Sequence, residues 1–240
     1  MKVAIHQPHY FPWMGYLDKM AKADKYIVLD EVQLEDRSPM VRNKFLQNNG
    51  EEHILGLSIR KKGYREKMTK EIELSDVKDV LAKHSRFIQM NYGKTKGYDE
   101  VWPEIEHIFS KDYKYLIELD MDTVYAMRKL FAINTEMILQ SDLDYDRSMK
   151  KSNLMLALSE AVNADVYLSG RGAKEYMNDE DFIKKSIKVE YQVFSYPVYK
   201  QMHSEQFVGN LSALDILMQL GIEDARKVFW DNINDKENEQ

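Results

Sequence analysis

Apolar and polar positions alternate along this chain with two different periods, and the period changes mark its elements. Residues 2–6 form a short, nearly unbroken apolar run that reads as a buried strand. Between 13 and 23, apolar residues fall at 13, 14, 17, 20 and 21, which predicts a helix. "KYIVLD" at 25–30 is a second buried strand that ends in a carboxylate. Strand, loop, helix and strand in that order predict a βαβ unit with a parallel pair. "NNGE" between two strand-like runs predicts a hairpin, and "KEIEL" at 70–74 reads as a further strand.

From Val77 the period turns helical. Val80, His84, Phe87, Ile88 and Asn91 fall on one predicted face, and two more helical stretches follow near 101–109 and 114–131. Strand character returns at 136–143, and a helix is predicted over 152–164 with Leu154, Ala157, Leu158 and Ala161 at core spacing. "DVYLSGRGAKEYM" at 165–177 reads as strand, glycine-containing turn and helix. Residues 186–199 read as a strand stopped by a proline, two short helices close the chain, and 233–240 is expected to fray. The pattern therefore predicts an α/β fold: a mainly parallel central sheet with flanking helices, an N-terminal βαβ unit, a hairpin and a helical insertion at about 77–131. No linker or repeat interrupts it, so one domain over 1–240 is expected.

Composition narrows the function. Lys and Arg number 34 against 40 Asp and Glu, a net charge of −6 that argues against general nucleic-acid binding. Cysteine is absent, which removes disulfides, thiolate metal sites and a cysteine nucleophile. The opening apolar run is too short for a signal peptide, and no window is long and apolar enough to span a membrane, so a cytoplasmic protein is expected.

The candidate chemistry gathers at the predicted ends of strands. His6 and His9 follow the first strand, and Asp30 and Glu31 follow the second. In a parallel sheet those ends share the edge where ligands bind. Two imidazoles and two carboxylates there suit a metal, a phosphate or an amine. A bare HxxH on a loop is weak as a metal motif, and capping of the strand is the plainer account, so no metal site is assigned. Arg37, Arg42 and Asn43 in "RSPMVRN" suit a carboxylate or phosphate, or else form a solvated strand edge. His84 on an apolar face is more often a satisfied core residue than a catalyst. Ser169, Gly170, Arg171 and Gly172 fall where small residues let backbone N–H groups approach an anion, although a plain turn explains them as well. Tyr10, Trp13, Tyr16, Tyr191, Tyr199 and Gln201 are candidates for a pocket wall.

The segments "IHQPHYFPWMGYLDKMAKAD", "LDEVQ", "RSPMVRN", "ADVYLSGRGAKEYM", "YQVFSYPVYKQ" and "LSALDILMQLG", in this order, resemble the WbqC-like family over essentially the whole chain. The family commonly has two aspartates where Asp30 and Glu31 stand, and often an asparagine in place of His9, which ranks His6 above His9. The resemblance implies attachment of a small acyl group, such as glycyl, to an amino sugar carried on a nucleotide, in surface-polysaccharide (O-antigen) biosynthesis. The expected enzyme is an acyl or aminoacyl transferase or an ATP-dependent amide ligase. His6 would be its catalytic base and Asp30 would orient it, with the other candidates binding substrate. The alternative is a non-catalytic protein of the same pathway that binds a sugar nucleotide or a partner, and a metal-dependent enzyme using His6, His9 and Asp30 is a third. "PWMGY" is also similar in position to the HxGH loop of HIGH-type nucleotidyltransferases, with Trp13 and Tyr16 where the histidines stand. ATP enters as a cofactor by that analogy alone. Aminoacyl-tRNA stays open as an acyl donor, and the oligomeric state is not legible.

Overall fold

A computed structural model describes residues 1–175 and 177–237. The strands are β1 (Lys2–His6), β2 (Lys25–Val28), β3 (Arg42–Leu46), β4 (Glu52–Gly56), β5 (Glu136–Leu139), β6 (Val166–Ser169) and β7 (Lys188–Tyr191). The helices are α1 (Met14–Ala21), α2 (Val77–Tyr92), α3 (Tyr98–Ser110), α4 (Leu116–Leu130), α5 (Lys151–Ala161), α6 (Asp179–Lys184), α7 (Leu214–Leu220) and α8 (Ile222–Glu237). The chain forms two compact units. The first holds Met1–Gln7, Asp18–Glu31 and Asn134–Phe194, and the second holds Pro8–Leu17, Val32–Ile133 and the chain from Ser195 onward.

The first unit is built on a parallel sheet of order β5-β2-β1-β6-β7. Val3, Ala4 and Ile5 of β1 and Tyr26, Ile27 and Val28 of β2 are all buried. That is why these strands read as unbroken apolar runs: a parallel strand covered on both faces has no polar side to show. The edge strands β5 and β7 are only half-buried. Counted in chain order, the five strands run 3-2-1-4-5, so the order reverses at β1, between β1 and β6. In open parallel sheets such a reversal is where the carboxyl ends of the strands leave a crevice for ligands.

The second unit contains the antiparallel β3–β4 hairpin and the helical segment α2–α4, followed by α7 and α8. The buried face of α2 is Leu81, His84, Ile88 and Tyr92, one step round from the predicted face, with Val80, Phe87 and Asn91 half-buried. A buried carboxylate, Asp215 on α7, accepts hydrogen bonds from Tyr92 (2.9 Å), Tyr199 (2.7 Å) and Gln201 (3.0 Å). Tyr92 also accepts the Leu46 N–H at 2.8 Å, which ties the hairpin to α2.

Several expectations need correction. Residues 70–74 are not a strand; a 3-10 turn spans Thr69–Glu71, and Glu73 and Leu74 make only isolated bridges to Tyr115 and Ile59. The expected strand over 186–199 is four residues long, and the chain from Gln192 to Lys200 is irregular, with side chains reaching its carbonyls: Arg171 donates to Gln192 O at 3.2 Å and Asn232 to Ser195 O at 3.2 Å. A 3-10 turn, Arg171–Glu175, follows β6 where a longer helix was expected, and Tyr176 lies outside the described residues. The last helix is not short. It covers 16 residues to Glu237 and buries Ala225, Phe229 and Ile233; residues 238–240 lie outside the described residues. No helix among the described residues is long and apolar enough to cross a membrane.

Asp120 on α4 is fully buried, and among the described residues neither carboxylate oxygen has a hydrogen-bond partner. Burial pushes its carboxyl well above the usual range. A carboxyl whose folded pKa is raised favours folding fully only below its unfolded value. Its contribution is lost as pH rises through the folded value. Asp120→Asn is therefore expected to gain on the wild type in stability progressively as pH rises above the usual carboxylate range, so that its advantage is larger at higher pH. Urea unfolding at about pH 5 and about pH 8 checks this, and an advantage that stays constant with pH would contradict it.

Candidate functional site

The chemistry-bearing residues fall into two groups, one in each unit, and each is built from a distinct local cause.

In the first unit, the parallel sheet brings His6, Asp30, Glu31, Ser169 and Tyr191 to the carboxyl ends of their strands. His6 donates from Nδ1 to its neighbour's carbonyl, Gln7 O, at 3.0 Å, which assigns the ring lone pair to Nε2. Burial, with the nearby Lys19 charge, lowers its pKa to about 3. The imidazole is thus neutral throughout the physiological range but has little affinity for a proton. Asp30 is buried, and its two oxygens accept the Ser141 N–H at 2.9 Å and the Ser141 hydroxyl at 2.6 Å. Glu31 accepts Tyr145 at 3.0 Å and Arg147 at 3.1 Å. The two acids therefore tie β2 to the segment after β5.

The rest of this edge is more structural. Ser169 is buried, with its hydroxyl 3.4 Å from Gly170 O. Arg171 donates to Gln192 O at 3.2 Å, and Tyr191 donates to Asp179 at 2.8 Å. A Cβ at Gly170 or Gly172 would meet nothing within 4 Å, so these glycines border open space, as a ligand loop requires.

In this unit Lys19 is a residue that sequence reasoning missed. It belongs to α1, is 3% exposed, and donates to Ile5 O at 2.8 Å. Burial lowers its pKa to about 7. The available signal was α1 itself, where eight helical residues must serve as one core element and hold Asp18 and Lys19 buried alongside Leu17 and Met20.

In the second unit a cleft of about 280 Å³ opens beside β3. Trp13 and Tyr196 supply aromatic walls, their ring centroids 5.8 Å apart. Arg37, Arg42 and Lys44 supply positive charge. Lys44 is paired with Glu52 at 2.6 Å, while the Arg37 and Arg42 guanidinium groups have no ion pair or side-chain hydrogen bond among the described residues. Pro39, Asn43, Ile54 and Asn210 complete the lining. The arrangement can take a ring bearing one or more anionic groups: planar faces for the ring, forked donors for the charge.

Local sequence explains how Trp13 reaches the cleft. Phe11 has a left-handed backbone (φ 42°), a costly state for a side-chain-bearing residue. Side chains hold it on both sides: Thr123 accepts its N–H at 3.0 Å, and Asn43 donates to its carbonyl at 2.6 Å and to Tyr10 O at 3.2 Å. Asn43 is therefore spent on positioning the loop, although it lines the cleft. Gly15 gives the Trp13 ring its space, since a Cβ there would lie 2.1 Å from ring carbons.

The remaining candidates of this unit do not line the cleft. His9 is buried against Tyr16, ring centroids 4.7 Å apart. Tyr10 and His84 are buried together, the Tyr10 hydroxyl 2.9 Å from His84 Nδ1, and His84 also bonds the Gly56 backbone. Burial lowers the His84 pKa to about 4, the behaviour of a satisfied core histidine. Tyr199 and Gln201 turn inward to Asp215 because that buried carboxylate needs donors. Tyr196 and Asn210, which do line the cleft, lie more than 180 residues from Trp13 and carry no local signal. No group of three or more His, Asp or Glu side chains among the described residues is arranged to hold a metal ion.

Gly15→Ala is expected to displace the Trp13 ring and to cost about 1–3 kcal/mol by overpacking. Urea unfolding followed by tryptophan fluorescence reads both effects, and unchanged stability with unchanged emission would contradict the packing described.

Comparison with known proteins places the chain. No solved structure matches it. The uncharacterized protein Rv1507c of Mycobacterium tuberculosis (strain ATCC 25618 / H37Rv) is 29% identical over 224 residues, covering 92% of this chain and 95% of the mycobacterial protein. The WbqC-like protein family matches residues 7–227, which takes in the cleft residues of the N-terminal loop, of β3 and of the 195–210 segment. The chain belongs to the WbqC-like protein family.

Proposed function

We propose that this protein is an enzyme that joins a small acyl group, such as glycyl, to the amine of a nucleotide-linked amino sugar in surface-polysaccharide biosynthesis. The cleft of the second unit carries the substrate half of this reading. Two guanidinium groups without protein partners, beside two aromatic faces, suit a diphosphate and an attached ring.

The reaction half comes from the family resemblance and from the neutral imidazole at the sheet edge. A C–N bond would form as the acyl carbon–leaving group bond breaks, the leaving group departing with the bonding pair and taking up the proton that the amine gives up. On the family resemblance His6 would be the base, with its Nδ1 donating to Gln7 O. Its pKa of about 3 makes it a weak proton acceptor. Asp30 acts by holding the edge through Ser141. That weak basicity is the observation that favours the second reading, a non-catalytic protein that binds a sugar nucleotide.

Thermal shift with UDP-, dTDP- and GDP-linked amino sugars is the test. At least one is expected to raise the melting temperature, because a ligand of the folded state stabilises it by linkage. Arg37→Ala and Arg42→Ala are each expected to weaken binding roughly tenfold or more, the loss of one charge-assisted contact. Binding without turnover of any activated acyl donor would favour the second reading. No shift with any of these ligands would overturn the assignment of the cleft.

A further inference from the structure

The reversal point of the sheet has a feature that the cleft reading does not use. In β1, His6 O accepts the Leu29 N–H from the β2 side at 2.9 Å. Carbonyls of successive strand residues face opposite neighbours, so Ile5 O faces the β6 side. Pairing of β1 with β6 ends at Ala4 opposite Leu168. Ile5 O lies one residue beyond that ladder, and the Lys19 ammonium meets it there at 2.8 Å.

Lys19 is buried, yet it has no carboxylate partner among the described residues. An ammonium has three donors, and one is used. Nearby acids are committed elsewhere. Asp18 pairs with Lys22 at 2.8 Å and accepts Gln192 at 2.6 Å, and Asp30 is held by Ser141. The neighbouring His6 is neutral and donates to Gln7 O. Buried charges in folded proteins are normally paired, because an isolated one is costly. At the end of β6, open space at Gly170 leaves room beside the strand.

We infer that the gap between the ends of β1 and β6 is an anion-binding site, in which Lys19 is the counter-ion of a carboxylate or phosphoryl group. The inference stands on the first unit alone and does not require the cleft reading. The two free donors of Nζ would serve the anion while the third stays on Ile5 O. Because burial lowers the Lys19 pKa to about 7, the amine is largely neutral above that pH, and an arriving anion would restore its proton. Arginines cannot give that signature, since they do not titrate.

The experiment is calorimetric titration of the Arg37→Ala/Arg42→Ala double variant, which lacks the two free cations of the cleft. Sulfate and acetate, neither of which titrates near neutrality, are the probes, at about pH 8 in two buffers of different ionisation enthalpy. One of them is expected to bind with uptake of close to one proton, and Lys19→Met in the same background is expected to abolish both binding and uptake. A response to sulfate alone identifies a phosphoryl ligand, and a response to acetate alone a carboxylate. No binding of either, or uptake that survives Lys19→Met, overturns the inference. Should Lys19→Met not fold, NMR titration of the Lys19 side chain in the double variant decides: its pKa must rise on adding the anion, and an unmoved pKa overturns the site.

Discussion

The second unit depends on a single buried carboxylate. Asp215 has no solvent to stabilise it, and burial pushes its carboxyl up from the usual range. Donors offset that penalty. Tyr92 reaches it from α2, and Tyr199 and Gln201 reach it from the irregular segment after β7. That segment has no ladder of its own to satisfy its backbone, so its place is set by these side-chain bonds. Through the same Tyr92 hydroxyl, the hub also reaches Leu46 at the end of β3. A buried network of this kind is costly when partly satisfied and rigid when complete.

The cleft inherits its shape from that rigidity. β3 carries Arg42 and Lys44, and the hub-anchored segment carries Tyr196 and Asn210. The third wall, Trp13, is set by the strained Phe11 and by the absence of a side chain at Gly15. A net charge of −6 for the chain does not prevent a local cationic site, because two arginines next to few acids dominate the field within a Debye length. In the first unit the constraint is different. Strand order reverses at β1, and α1 brings Lys19 to the carbonyl of Ile5 near the end of that strand.

The parallel strands, the hairpin and the three inserted helices were legible because their side chains follow the pattern of the element, as in the buried run Val3-Ala4-Ile5 or the spacing of His84 and Ile88. The stretch 70–74 misled because its alternation is that of an irregular segment with two buried positions, Ile72 and Leu74, and no strand partner. In the sites, Trp13, Arg37, Arg42 and Asn43 could be read from a short N-terminal region. Tyr196 and Asn210 could not, since their role exists only after long-range packing. Tyr199 and Gln201 looked like pocket residues because nothing local shows that Asp215, more than a dozen positions away, would claim them.

The cleft beside β3 is proposed to receive a nucleotide-linked sugar. Trp13 makes it directly measurable, because the other two tryptophans are held elsewhere. Trp102 stacks on Tyr98 and Phe109, and Trp230 donates to Phe131 O. Titration of a nucleotide-linked amino sugar, followed by the three indole N–H signals in a two-dimensional NMR spectrum, is therefore the most direct test. The account predicts that the Trp13 signal moves in a saturable way while those of Trp102 and Trp230 stay in place. A Trp13 signal unmoved by every nucleotide-linked amino sugar would contradict it.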